Sequence, residues 1–164
     1  MKIDRRAHRA FAVMVIVLEL LVGNASFALA ASDSPVPAVN AKEGTGLKGY
    51  DPVAYFTRGV PTEGLEQYNF SWRGVTYRFA SGENLQLFRA DPEKYLPQYG
   101  GYCAYAMSLD RIADIDPSRW AIVNGKLYLN NGFVSEKLWS LNKSGNIVSA
   151  DRNWPLYPKK ATGE

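Results

Sequence analysis

The chain has 164 residues and carries 19 Lys/Arg against 16 Asp/Glu, a formal net charge of +3. That length suffices for one domain around one core, and outside residues 1–30 the basic residues form no cluster of the kind that contacts phosphates, which argues against nucleic acid as a partner. With a single cysteine, Cys103, and a single histidine, His8, the chain forms no internal disulfide.

Lys2, Arg5, Arg6 and Arg9 precede an apolar run from Phe11 to Val22, broken by Glu19, and Ala28-Leu29-Ala30 follows. This is the pattern of an export signal cut after Ala30. The run falls short of the roughly 20 residues of a membrane span, so the expected product starts at Ala31, is periplasmic or secreted, and has no stable membrane insertion. Residues 1–30 hold four Lys/Arg and two Asp/Glu, so the remainder has 15 against 14 and a charge of about +1. They also hold His8, which leaves no histidine for catalysis.

Residues 31–46 are rich in Pro, Gly and small polar side chains and read as a flexible linker. The domain is expected over 47–157, with 158–164 as a disordered tail. Asp51-Pro52, Asp91-Pro92 and Asp116-Pro117 each fit a helix start, Asp capping a free N–H and Pro occupying the first helical position. Ser81 can cap another helix, in which Leu85 and Phe88 share a face.

A two-residue turn at Arg73-Gly74 would pair Trp72 with Val75, Phe70 with Tyr77 and Tyr68 with Phe79, giving one apolar face. Asn124-Gly125, the favoured dipeptide of a type I′ turn, would pair Ile122 with Leu127 and Trp120 with Leu129. Phe133 to Leu141 reads as a helix offering Leu138 and Trp139 to the core. The expected class is therefore α+β: a small single domain with two β-hairpins in antiparallel sheet and several short helices.

Gly49-Tyr50-Asp51-Pro52-Val53, Tyr77-Arg78-Phe79-Ala80-Ser81, Phe88 and Asp91-Pro92-Glu93-Lys94-Tyr95-Leu96 together resemble the YHS domain family over the first half of the domain. The second half resembles an extension shared by exported bacterial proteins that carry this module. The resemblance implies a small α+β unit from a family several of whose members are associated with heavy-metal handling. Metal-associated members have Asp-Pro-Val-Cys-Gly-Met where this chain has Asp51-Pro52-Val53-Ala54-Tyr55-Phe56. Their Phe-Cys-Ser-x-x-Cys stands here as Phe79-Ala80-Ser81-Gly82-Glu83-Asn84. Ala54, Phe56, Ala80 and Asn84 therefore mark degenerate metal positions, because thiolates hold soft metals and these side chains do not.

Chemistry that needs sulfur must run through Cys103, with Met107 one helical turn on, in a stretch that also holds Tyr99, Tyr102 and Tyr105. Two readings stand. In one, Cys103 and Met107 form a soft-metal site, with Cu(I) the fitting ion, or the three tyrosines line a pocket for a small ligand. In the other, the cysteine is a small core residue beside a gap-filling methionine, and the protein is a structural or partner-binding domain without a ligand. A closed zinc site needs more His and Cys than remain, and a cysteine enzyme needs a neighbouring base. The expectation is a non-enzymatic binding module with no catalytic residues. Asp110, Asp114 and Asp116 lack the glycine and spacing of a calcium loop.

Overall fold

A computed structural model describes residues 38–157. The proposed export signal, residues 31–37 of the linker and the tail at 158–164 lie outside the described residues.

Three two-residue turns organise the strands. Glu43-Gly44 joins β1 (Ala41–Lys42) to β2 (Thr45–Gly46), Arg73-Gly74 joins β3 (Leu65–Trp72) to β4 (Val75–Phe79), and Asn124-Gly125 joins β5 (Asp116–Val123) to β6 (Lys126–Asn130). Both residues of each turn have positive φ, between 48° and 78°. That is the type I′ geometry, whose twist matches that of the flanking strands.

β1 to β4 form a sheet in the order β1-β2-β4-β3, and β5-β6 is a separate ribbon. The two hairpins named from the sequence therefore lie in different sheets. The first sheet is mixed, because β2 meets β4 in parallel at Thr45 and Thr76.

The linker boundary needs correction for residues 38–46. The Asn40 N–H donates to the Gly100 carbonyl at 2.8 Å, and its side chain reaches the Gly101 carbonyl and Asp114 at 3.1 and 3.0 Å. A stretch of small polar residues is ordered here because long-range partners satisfy its backbone, which composition does not reveal.

The register holds near both turns. Trp72 faces Val75 and Phe70 faces Tyr77, while Ile122 faces Leu127 and Trp120 faces Leu129. Further out, Tyr68 does not oppose Phe79. A bulge between Leu65 and Asn69 puts Leu65 there instead, and the Asn69 amide donates to the Glu66 carbonyl at 2.7 Å across the irregularity.

The helices are short. Among the described residues they are α1 (Ala54–Thr57), α2 (Gly82–Ala90), α3 (Pro92–Tyr95), α4 (Ala104–Ser108), α5 (Phe133–Leu141) and α6 (Lys143–Asn153). Ser81 caps α2 by accepting from the Asn84 N–H, and Asp91 caps α3 with Pro92 at its first position. Asp116-Pro117 differs from the expectation and opens β5 rather than a helix. Asp116 Oδ1 accepts from the Ser118 N–H and hydroxyl at 2.9 and 2.7 Å, a local turn that needs no helix after it.

Two apolar clusters flank β6. Leu127 and Leu129 join Val53, Tyr55, Tyr77, Phe79 and Phe88 on one side. Tyr128 joins Tyr99, Met107, Trp139 and Ala150 on the other. β6 is thus buried on both faces, and a single core is replaced by two. Its partner β5 is not: Ile122 is 36% exposed. In α5, Trp139 is buried but Leu138 is 41% exposed, so only one of the two residues offered to the core enters it.

Candidate functional site

The opening motif folds around one carboxylate. Asp51 is fully buried. Its Oδ1 accepts from the Val53 and Ala54 N–H groups at 2.8 and 3.2 Å, which starts α1. Its Oδ2 accepts from the Ala80 N–H at 2.8 Å and from the Asn84 amide Nδ2 at 2.6 Å, which fastens the β4–α2 junction to the same point. Ala54, Ala80 and Asn84, far apart in sequence, therefore converge on Asp51. Phe56 packs edge-on against Tyr95, ring centroids 5.4 Å apart.

The Cys103 region is built by three successive left-handed residues, Tyr99, Gly100 and Gly101, with φ of 56°, 58° and 80°. A side chain at Gly100 would collide with the Ala38 carbonyl oxygen, so the glycine lets the N-terminal segment lie directly on this loop. Cys103 follows as the N-cap of α4, its sulfur accepting from the Ala106 N–H at 3.5 Å. It also accepts from the Asn131 N–H at 3.2 Å, and Asn130 Oδ1 lies 3.8 Å away. Cys103 is 1% exposed and Met107 fully buried. The cysteine sulfur is engaged by the end of β6, while Met107 packs among Tyr99, Tyr128 and Trp139.

The tyrosines divide. Tyr99 donates its hydroxyl to Asp151 Oδ1 at 2.9 Å. Burial, and then that bond and the Asp151 charge, raise its phenol above the ordinary range. Tyr102 stacks toward Trp154 at 6.2 Å, its phenol raised by burial and then by Asp114. Tyr105 faces another way, into a shallow cleft of about 380 Å³ with Phe133, Val134 and Leu138.

The acidic trio also disperses. Asp110 accepts from Tyr157, Asp114 pairs with Lys48 at 2.7 Å, and Asp116 serves Ser118. Burial acts to raise the Asp114 carboxyl, but hydrogen bonds from Lys48, Asn40 and Ile115 outweigh it and hold the group below its usual value. Among the described residues no group of three or more His, Cys, Asp or Glu is placed to hold a metal ion.

Tyr99 leads to a site that the sequence did not mark. It lines a cleft of about 530 Å³ whose other aromatic walls are Trp72, Tyr77 and Trp154, with Arg73, Glu93, Lys126 and Asp151 as charged groups. Trp72 and Arg73 come from the β3–β4 hairpin, Glu93 from α3, Lys126 from β6 and Asp151 from α6. Leu96 to Gly100 form one side, and Ala38 and Val39 another. These residues come from widely separated stretches, and none of those stretches is unusual by itself. The one available signal was Tyr99 beside two glycines.

The family model of the YHS domain matches Val53 to Tyr99. Residues 53–99 resemble a YHS domain. Neither curated proteins nor solved structures provide a match to the chain. The YHS segment thus starts two residues after the Asp51 hub and ends on the tyrosine of the cleft. The YHS domain is associated with metal binding, but the residues present here do not fit a metal. Ala54 and Ala80 offer only methyl groups, and the Asn84 nitrogen already donates to Asp51. Both Asp51 oxygens are occupied, each by two N–H donors.

Proposed function

We propose that the chain is an exported, non-enzymatic binding module that holds a small organic ligand in the cleft between Trp72, Tyr99 and Trp154. The observation that carries this reading is the cleft itself. Its volume of about 530 Å³ lies within the usual range for small-molecule sites, about 300–1,000 Å³, and its aromatic walls with few charged groups have the usual composition.

The reading that Cys103 and Met107 hold Cu(I) is less well supported. The Cys103 sulfur is sealed and already accepts two backbone N–H groups. Its side-chain neighbour is Asn130, whose amide cannot act as the base that would activate a nucleophile.

Titration of the purified exported protein with small aromatic compounds, followed by tryptophan fluorescence, tests the reading. Binding should be lost in Trp154→Ala and kept in Cys103→Ala. The reverse pattern, or stoichiometric copper that Met107→Leu abolishes, would favour the sulfur pair. Export is tested by intact mass, with Ala31 expected as the first residue of the exported protein. No helix among the described residues is long and apolar enough to cross a membrane.

A further inference from the structure

The β3–β4 hairpin supplies two aromatic walls of the cleft, Trp72 and Tyr77. Trp72 pairs with Val75 and Tyr77 with Phe70, so the two rings lie diagonally on one face of the sheet. Tyr77 is 2% exposed, yet its hydroxyl makes no hydrogen bond to any described residue. Trp72 Nε1 is likewise buried without a partner among them. Buried phenols and indoles usually find one, and a buried donor left alone is costly. The Tyr77 ring has no room to turn aside. The Phe88 ring centroid lies 5.3 Å from its own, and a Cβ at Gly46 would come within 2.6 Å of its Cε1.

The charges of the cleft do not supply the missing partner. Arg73 and Glu93 pair with each other at 2.9 Å, and Lys126 and Asp151 are exposed, where water serves them. Glu93 and Arg73 are the charges that act on the Tyr77 phenol, and all three residues line the cleft, so the hydroxyl is directed toward it. Burial, and then the Glu93 charge, push this phenol up to about 12 against the pull of Arg73, so it keeps its proton at neutral pH and donates. From this geometry we infer that the cleft takes a flat, uncharged aromatic molecule bearing a carbonyl oxygen, which accepts the hydrogen bond of the Tyr77 hydroxyl. Its ring lies against Trp72 and Trp154. A carbonyl oxygen accepts and needs no donor of its own, which suits walls whose unpartnered polar atoms both donate. A charged group at Tyr77 would give up water where Arg73 and Glu93 are already paired. Because Phe88 and Gly46 hold the Tyr77 ring, little ordering is left for the binding step.

This inference rests on the cleft reading, and one pair of ligands separates the two. Acetophenone and ethylbenzene match in ring and size and differ in the carbonyl oxygen. Both are titrated calorimetrically against the full exported protein and against Tyr77→Phe, which removes the hydroxyl and no hydrogen bond to any described residue. The substitution should weaken acetophenone about fivefold, the usual worth of one neutral hydrogen bond, and leave ethylbenzene as tight as before or tighter. If acetophenone binds both proteins alike, or both ligands weaken equally, the carbonyl contact is refuted while the cleft reading stands. If neither ligand binds the unaltered protein, the inference falls, and the fluorescence test with Trp154→Ala decides the cleft separately. Should Tyr77→Phe fail to fold, the infrared carbonyl band of acetophenone bound to the unaltered protein decides. A hydrogen bond lowers that band from its position in a hydrocarbon solvent, and a band left at that position would refute the contact.

Discussion

Asp51 offers the most direct test of how residues 53–99 are held together. Asp51→Ala deprives the N–H groups of Val53, Ala54 and Ala80 and the Asn84 amide of their acceptor, in a place closed to water. Each buried donor left unpaired costs about 1–3 kcal/mol. Four of them, reduced by local relaxation and by removal of a buried charge, give a loss of about 4–6 kcal/mol. That is a large share of the roughly 5–15 kcal/mol of a typical domain. Asp51→Asn keeps the shape and one carbonyl oxygen but turns an NH₂ toward two donors, for a loss of about 2–3 kcal/mol. Asn84→Ala removes a single bond and leaves the carboxylate three backbone donors, for about 1–2 kcal/mol. Urea unfolding of the three variants, followed by circular dichroism, measures the order. A value for Asp51→Ala within about 1 kcal/mol of the unaltered protein, or below that for Asp51→Asn, would refute a hub held by four donors.

A thiol reagent should leave Cys103 unmodified in the native protein and label it only on unfolding, and rapid native labelling would show that the α4 cap opens. Leu127→Ala should cost roughly 2–5 kcal/mol, as is usual for a sealed leucine, whereas Ile122→Ala across the same pair should cost well under half as much, because Ile122 is already 36% exposed. Equal losses in urea unfolding would mean that β5 is buried as deeply as β6. The alkaline limit of stability follows from the phenols. Burial, and then the Glu93 charge, push the Tyr77 phenol up to about 12 against the opposing pull of Arg73, and burial likewise raises Tyr55 and Tyr99. Their stabilisation is complete below the unfolded tyrosine value of about 10 and is lost as pH rises through the folded values. The urea midpoint should therefore fall above about pH 10, and a midpoint unchanged to pH 12 would refute the assignment.

Local chemistry was legible in the residues themselves. Asn124-Gly125 and Arg73-Gly74 specify turns because few dipeptides accept two positive φ angles, and a register one residue from such a turn has little freedom. Ser81 and Asp91-Pro92 mark helix starts because the orphan N–H groups lie within reach of the side chain that precedes them. That Ala54, Ala80 and Asn84 carry no thiolate to hold a soft metal was equally plain.

What Asp116-Pro117 does could not be read in the same way. An aspartate oxygen can bond the N–H two residues on whether a helix or a strand follows, and the pairing of Asp116 with Asn130 decides for a strand. The Tyr68 register failed at a bulge that starts directly beyond Asn69–Arg78, the last pair in register with the turn.

Burial was the least legible property, since it depends on what packs against a segment. Leu127-Tyr128-Leu129 is apolar on both faces in the sequence, and only the presence of a cluster on each side buries all three while leaving Ile122 opposite in solvent. For the same reason Cys103 could be named but not shown to be sealed, and seven of the side chains around Tyr99 could not be named together. Trp72, Lys126, Asp151 and Trp154 become neighbours only when the hairpins and α6 close on one loop. Sequence carries the short-range hydrogen bonds of a chain, whose partners lie a few residues apart. A cleft is made by long-range packing, and its members meet only in the folded protein.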